Sequence, residues 1–325
     1  MSPRKKIYCT AKLLLDVKEL LSDFDVEVYE GPLPIPREIL SEKIKDIHGL
    51  ITMLTDKIDS EILNNAKNLK VIANYAVGYD NIDIAECTRR GIAVTNTPDV
   101  LTDATAELAW ALVFAVARKV VEAHKFVENG NWISWSPTLF LGTEIRGKTL
   151  GVIGAGRIGT AFALKSRGFE NKVLYFSRRT NPTLEGILGA KKVSLEELLR
   201  ESDIISLHLP LTPETYHIIG EREFNLMKPT AIFVNTGRGK LVDERALIKA
   251  LKEKRIYGAG LDVFEFEPHV PEDLKNLDNV VLLPHIGSAT IEARTKMLEL
   301  VVENIKAFFE GRVPPNILNR ELYGI

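Results

Sequence analysis

Glutamine is absent from the 325 residues, cysteine occurs only twice, and neither sign of charge prevails, the formal balance being −2. Cys9 and Cys87 lie far apart, with neither CxxC spacing nor histidine neighbours. That excludes a disulfide framework and a Cys/His metal centre, so no metal is expected and both read as small buried hydrophobes or free thiols. A near-neutral chain without a Lys/Arg run leaves no electrostatic footprint for nucleic acid or for an anionic membrane. The most apolar run, Leu108 to Ala117, is too short to cross a bilayer. The opening MSPRKKIYCT carries no apolar stretch or cleavage site, and a cytoplasmic location is expected. The missing glutamine, with abundant Lys and Glu, is a bias of proteins from hot environments and concerns habitat rather than activity.

What is present is alternation. From Lys6 to Asn96 the short apolar runs IYC, VEVY, GLITML, VIANYA and IAVTN are separated by helical patterns, which predicts a parallel sheet of βα units. Leu101 to Glu128 reads as one long connecting helix entered through Thr102 and Asp103, with Trp110 and Phe114 offering apolar surface to a second copy of the chain. A loop with Trp132 and Trp135 follows, and then a second series: TLGVIG, KVLYF, DIISLHLP, AIFVNTG, YGAGLDV and NVVLLPH. The expected fold is therefore α/β with two Rossmann-like parallel-sheet domains, one flavodoxin-like and one dinucleotide-binding, enclosing a cleft. Residues 1–99 form the substrate-binding domain, completed by a C-terminal helix within 289–325, and residues 100–288 form the dinucleotide-binding domain.

The hexapeptide Gly154-Ala-Gly156-Arg157-Ile158-Gly159 follows the apolar strand TLGVI and opens a helical pattern. In this context each glycine has a physical role. Gly154 makes the tight turn, Gly156 lets the backbone approach a pyrophosphate, and Gly159 allows close helix packing. The amides of Arg157 and Ile158 then face the phosphates at a helix N-terminus. About 20 residues on, where an NAD-binding chain carries Asp or Glu for the ribose hydroxyls, stand Ser177, Arg178, Arg179 and Thr180. A hydroxyl and two guanidiniums suit a 2′-phosphate, so NADP(H) is expected to be preferred, with NAD(H) possible.

Three later strands each deliver one reactive side chain at the carboxyl end: Arg238 in NTGRG, Glu267 in DVFEFEP and His285 in PHIGSAT. Reduction of a 2-oxo acid needs a cation for the carboxylate, a proton donor for the ketone oxygen and a hydride source. Arg238 and His285 supply the first two, and Glu267 beside the histidine would orient it and favour its charged form.

On NTGRG, the Glu before Pro268 and PHIGSAT, the chain resembles the D-2-hydroxyacid dehydrogenase family along its whole length. The WISWSPTLFLGTEI segment and Ser177-Arg178-Arg179 make it most similar, within that family, to glyoxylate/hydroxypyruvate reductases. The resemblance implies further cofactor contacts at Thr102, Leu209, Pro210, Thr215, Thr236, Asp262 (toward the carboxamide), Gly287 and Ser288. It implies substrate contacts at Leu54 and at the backbone of Ala76-Val77-Gly78-Tyr79, besides Arg238 and His285. It also implies a homodimer in which Trp135 reaches the neighbouring subunit's substrate site. The competing readings are an NAD-dependent D-lactate or phosphoglycerate-type dehydrogenase, and a dinucleotide-sensing binding protein like the family's corepressors. No C-terminal regulatory domain is expected.

Overall fold

The computed structural model describes residues 3–325, which divide into two compact units: the chain up to Leu101 together with Ala289–Ile325, and Thr102–Ser288. In the first unit, strands β1 (Lys6–Cys9), β2 (Asp25–Val28), β3 (Gly49–Thr52), β4 (Val71–Asn74) and β5 (Ala93–Thr95) form one parallel sheet in the order β2-β1-β3-β4-β5. This flavodoxin-like order reverses between β1 and β3, and the loops that follow those two strands meet at a topological switch point. All four residues of β3 and of β4 are buried, as befits central strands covered on both faces, whereas edge strand β2 alternates between exposed and half-buried positions. The helix Ile291–Phe309, capped by the Thr290 hydroxyl accepting from the Ala293 amide (3.1 Å), packs on β4.

The second unit holds seven parallel strands: β6 (Thr149–Ile153), β7 (Lys172–Phe176), β8 (Lys191–Lys192), β9 (Ile204–Leu207), β10 (Ile232–Asn235), β11 (Gly258–Leu261) and β12 (Val280–Leu282). Their order, β12-β11-β10-β9-β6-β7-β8, turns back between β6 and β9. The glycine turn after β6 therefore opens at the switch point, where α/β sheets bind ligands. Each fully buried Leu, Ile or Phe along β9 and β10 contributes about 1.5–3 kcal/mol of burial.

Two expectations are corrected. The segment 101–128 is two helices, Thr102–Ala117 and Val120–Glu128, so Thr102 and Asp103 lie in the first turn rather than before it. The break falls where Lys119 takes a left-handed φ of 52°. There the returning chain crosses the helix end: the Thr143 amide donates to the Ala117 carbonyl (3.0 Å), and a Cβ on Gly142 would lie 2.3 Å from that oxygen. Trp110, expected at a surface, is buried within its own unit. It stacks on Phe162 (4.9 Å), and its indole N–H donates to the Phe162 carbonyl (2.9 Å). Phe114 packs beside it against Phe169.

Candidate active site

The glycine turn is shaped by contacts that exclude side chains. Gly154 has φ 101°, and a Cβ there would lie 2.7 Å from the His208 carbonyl on the neighbouring β9 loop. A Cβ on Gly159 would lie 2.0 Å from the Gly154 oxygen, so the helix Arg157–Lys165 presses directly on the turn. Helical hydrogen bonding begins with the Thr160 amide donating to Gly156 (2.8 Å), which leaves the preceding amides of Arg157, Ile158 and Gly159 directed out of the helix end. Gly156 faces open space, with no atom within 4 Å of a Cβ built there. The Thr236 hydroxyl, at the end of β10, is buried without a hydrogen-bond partner. Amides at a helix N-terminus, an open approach at Gly156 and a buried orphan hydroxyl all fit a dinucleotide.

At the end of β7 no carboxylate stands among Ser177, Arg178, Arg179 and Thr180; Ser177 is half-buried and the other three are exposed. Two residues not singled out by the sequence patterns hold this loop. Asn181 donates its amide to the Ala155 carbonyl (3.1 Å) and the Thr160 hydroxyl (2.7 Å), tying the loop to the glycine turn, while its carbonyl oxygen caps the helix Pro182–Leu188. Its signal was legible: Asn followed by Pro is an N-cap before a first-turn proline. Lys192, on the short β8, donates to the Arg178 carbonyl (3.0 Å) and adds a third cation, which no local pattern announced. Arg178 also acts on exposed Glu214, whose carboxyl is held below its usual range by the Thr212 hydroxyl first and by this charge last.

The loop after β9 closes on itself. The Thr215 hydroxyl donates to the Pro210 carbonyl (2.7 Å) and accepts from the Thr212 amide (2.8 Å), and the Leu209 amide lies beside Gly154. Thr102 begins its helix, and Thr105, one turn on, packs under Gly287.

Arg238, Glu267 and His285 come together. His285 Nδ1 and Glu267 Oε2 are 2.8 Å apart, and the Phe264 amide donates to Glu267 Oε1 (2.9 Å). Burial pushes the Glu267 carboxyl up, but the hydrogen bond and charge of His285, the Phe264 amide and the Arg238 charge outweigh it and hold it below the usual range. Glu267 therefore stays a carboxylate at neutral pH. His285 has a left-handed φ of 56°, rare for a residue with a side chain. What holds it there is Asp262, fully buried, whose two oxygens accept from the Ile286 and Gly287 amides (both 2.7 Å). Burial raises the Asp262 carboxyl, against the pull of those two amides and of the His285 charge. Arg238 follows β10 in an extended conformation, fixed by the Asn235 side chain, which donates to the Arg238 carbonyl (2.9 Å) and accepts from the Gly237 amide (3.0 Å). With Nδ1 engaged by Glu267, Nε2 of His285 is the atom that can deliver a proton.

In the first unit, the carbonyls of Ala76, Val77 and Gly78 all turn inward, accepting from the Thr97 amide (2.9 Å), the Asn96 side chain (2.8 Å) and the Asn74 side chain (2.8 Å). A loop whose carbonyls are all held on one side presents its amides on the other, which is how backbone binds an anion. Asn81 ties this loop to the one bearing Leu54 by donating to the Met53 and Asp56 carbonyls (both 3.1 Å). Asp56, buried, accepts from the Thr52 hydroxyl (2.9 Å), the Met53 amide (2.8 Å) and the Thr10 hydroxyl. No sequence pattern pointed to these amide and carboxylate braces.

Trp132, Ile133 and Trp135 stand exposed on the second unit, Trp135 at 78 %. Among the described residues no cluster of three His, Cys, Asp or Glu could hold a metal, and no helix is long and apolar enough to cross a membrane.

Residues 110–287 match the family described as D-isomer specific 2-hydroxyacid dehydrogenase, NAD binding domain. The chain is 54 % identical over 324 residues to a glyoxylate reductase of Thermococcus litoralis, covering 98 % of each. Among solved structures it is similar to the NADPH-dependent glyoxylate/hydroxypyruvate reductase of Sinorhizobium meliloti in complex with NADP and malonate, with TM-score 0.84 and 31 % identity over 97 % of each chain. It is also similar to the D-lactate dehydrogenase of Aquifex aeolicus complexed with NAD and lactic acid, with TM-score 0.86 and 31 % identity over 97 % of this chain and 99 % of that one.

Proposed function

Because this chain belongs to the D-isomer specific 2-hydroxyacid dehydrogenases, we propose that it reduces glyoxylate, and hydroxypyruvate beside it, to the 2-hydroxy acid with NADPH as preferred cofactor. The observation that carries the reading is the 2.8 Å His285–Glu267 pair beside Arg238, on the same sheet as the glycine turn. The bound nicotinamide supplies the hydride. We assign the substrate carboxylate to Arg238 and to the amides of Val77 and Gly78, and apolar contact to Leu54. His285, oriented by Glu267, gives its Nε2 proton to the ketone oxygen as the alkoxide forms, and the ring recovers a proton from solvent. The cofactor contacts are those named from the sequence, with the pyrophosphate on the Arg157–Gly159 amides and the 2′-phosphate on Ser177, Arg178 and Arg179. The carboxyl-terminal helix completes the substrate-binding domain in this reading.

The exposed Trp132, Ile133, Trp135 and Leu141 support a homodimer in which Trp135 enters the neighbouring subunit's site, since large apolar side chains exposed close together in sequence suit a contact with another chain. The two buried thiols suit a reducing compartment, and we place the protein in the cytoplasm on that ground. The test is nicotinamide absorbance with glyoxylate, hydroxypyruvate and pyruvate, each with NADPH and NADH. Oxidation of NADPH by glyoxylate is expected. A chain that oxidises neither cofactor with any of the three acids does not have this function.

A further inference from the structure

Behind the His285–Glu267 pair lies a second histidine–glutamate pair to which the mechanism gives no part. Glu265 is buried, and its Oε1 is 2.8 Å from His217 Nε2. Its other oxygen accepts from the Glu244 amide (3.2 Å), and the Glu265 amide donates in turn to the Glu244 carboxyl (3.3 Å). Glu244 is itself buried, which raises its carboxyl; the Glu265 amide lowers it, the Glu265 charge raises it further and the His269 charge lowers it. Beside these two backbone amides, the His217 ring brings a side-chain donor to the buried carboxyls. A buried carboxylate without such a partner is costly.

The pair sits where two catalytic segments cross. The His217 amide donates to the Lys240 carbonyl (2.9 Å), two residues after Arg238, and the Ile219 amide donates to the Leu241 carbonyl (3.1 Å). The His217 ring holds Glu265, two residues before Glu267. Between them Gly239 is pressed against the other segment so closely that a Cβ would fall 1.9 Å from the Phe264 carbonyl group. The Phe264 amide, at the same crossing, is the one that holds Glu267 Oε1. The His217 backbone adopts a left-handed φ of 50°, and its ring stacks on Tyr216 (4.0 Å), so its direction is fixed from both sides.

The geometry points to His217 and Glu265 as a positioning pair that holds the Arg238 turn and the Glu267 turn in register, so that Glu267 meets His285 at hydrogen-bonding distance. Neither residue touches substrate; each acts through the segment it clamps. The inference rests on the reductase reading for its kinetic test, whereas the ring signals of His285 report on the pair whatever the substrate.

The experiment compares wild type with Glu265→Ala, Glu265→Gln, His217→Ala and His217→Gln. Glu265→Ala is expected to lower kcat for glyoxylate by between about tenfold and 100-fold through misplacement of the catalytic groups, while the Kd for NADPH stays within about twofold. The Gln variants, which keep hydrogen-bonding shape without the charge, are expected to lose less than the Ala variants. Independently of any substrate, the His285 ring signals in NMR, identified by their loss in His285→Asn, should move in Glu265→Ala because they report the bond to Glu267. A folded Glu265→Ala with wild-type kcat and unmoved His285 signals overturns the inference. If that variant does not fold, His217→Ala is judged by the same two readouts. A wild type without turnover would overturn the reductase reading instead, and the ring signals would still decide the pair.

Discussion

The two ends of the dinucleotide site are built differently. At the catalytic end every reactive group is braced: Asp262 holds the His285 turn, Asn235 holds the Arg238 turn, and the Phe264 amide holds Glu267. Where the ribose is proposed to bind, Ser177, Arg178 and Arg179 stand on a short loop whose arginines are exposed, tied at Asn181 and through the Arg178 carbonyl. Bracing by buried hydrogen bonds fixes geometry and makes each group hard to replace. Exposed charges act through screened attraction, so selectivity there is expected to be modest, salt-dependent and easy to redirect.

The contrast should be broken most severely at His285. His285→Ala is expected to lower kcat by between about 100-fold and 10,000-fold, with NADPH affinity retained, as rapid-mixing kinetics beside a fluorescence titration would show. Near-wild-type turnover would remove His285 from the mechanism. Arg238→Lys keeps the charge but loses the planar fork, and kcat/KM should fall by about 2 kcal/mol, or roughly 30-fold; an unchanged ratio would put the substrate carboxylate elsewhere.

The ribose end should give smaller and reversible changes. One or two charge-assisted hydrogen bonds to the 2′-phosphate are expected to favour NADPH over NADH by about tenfold or more in kcat/KM, and added salt should erode that preference. Exchanging Ser177 for Asp and Arg178 for Ala is expected to invert it by supplying an acceptor for the ribose hydroxyls and withdrawing a cation. Equal use of both cofactors by the wild type would show the arginines to be a solvated loop. The smallest effect is on stability. Because the folded Glu267 carboxyl lies below its usual range, its contribution is present above the unfolded value of about 4.3 and is lost as pH falls through the lower folded value. Glu267→Gln should therefore flatten the acid limb of a denaturation series by a small amount, since the side chain is 28 % exposed.

Much of this was legible in the sequence, because periodicity and spacing are local signals. Every apolar run of the two alternating series holds a strand, and the glycine hexapeptide leads from β6 into the helix Arg157–Lys165 as its spacing required. Illegible was whatever depends on where a chain returns. Nothing between Leu101 and Glu128 announces that Thr143 will take the Ala117 carbonyl and end the first helix, or that Trp110 will turn inward to Phe162. The braces share that property. Asn74, Asn81 and Asn96 carry no signal of their own until the carbonyls they hold are seen, and Glu265 differs from Glu267 only by two positions in one short segment, FEFEP.

The central claim, that Glu267 aims His285 for proton delivery, is tested most directly by the pH dependence of kcat for glyoxylate reduction in wild type and Glu267→Gln. Reduction needs the protonated ring, so the rate should fall toward alkaline pH in both. Without the carboxylate the fall should start from a lower plateau, because the ring loses the partner that aims it. Superimposable profiles would contradict the pairing.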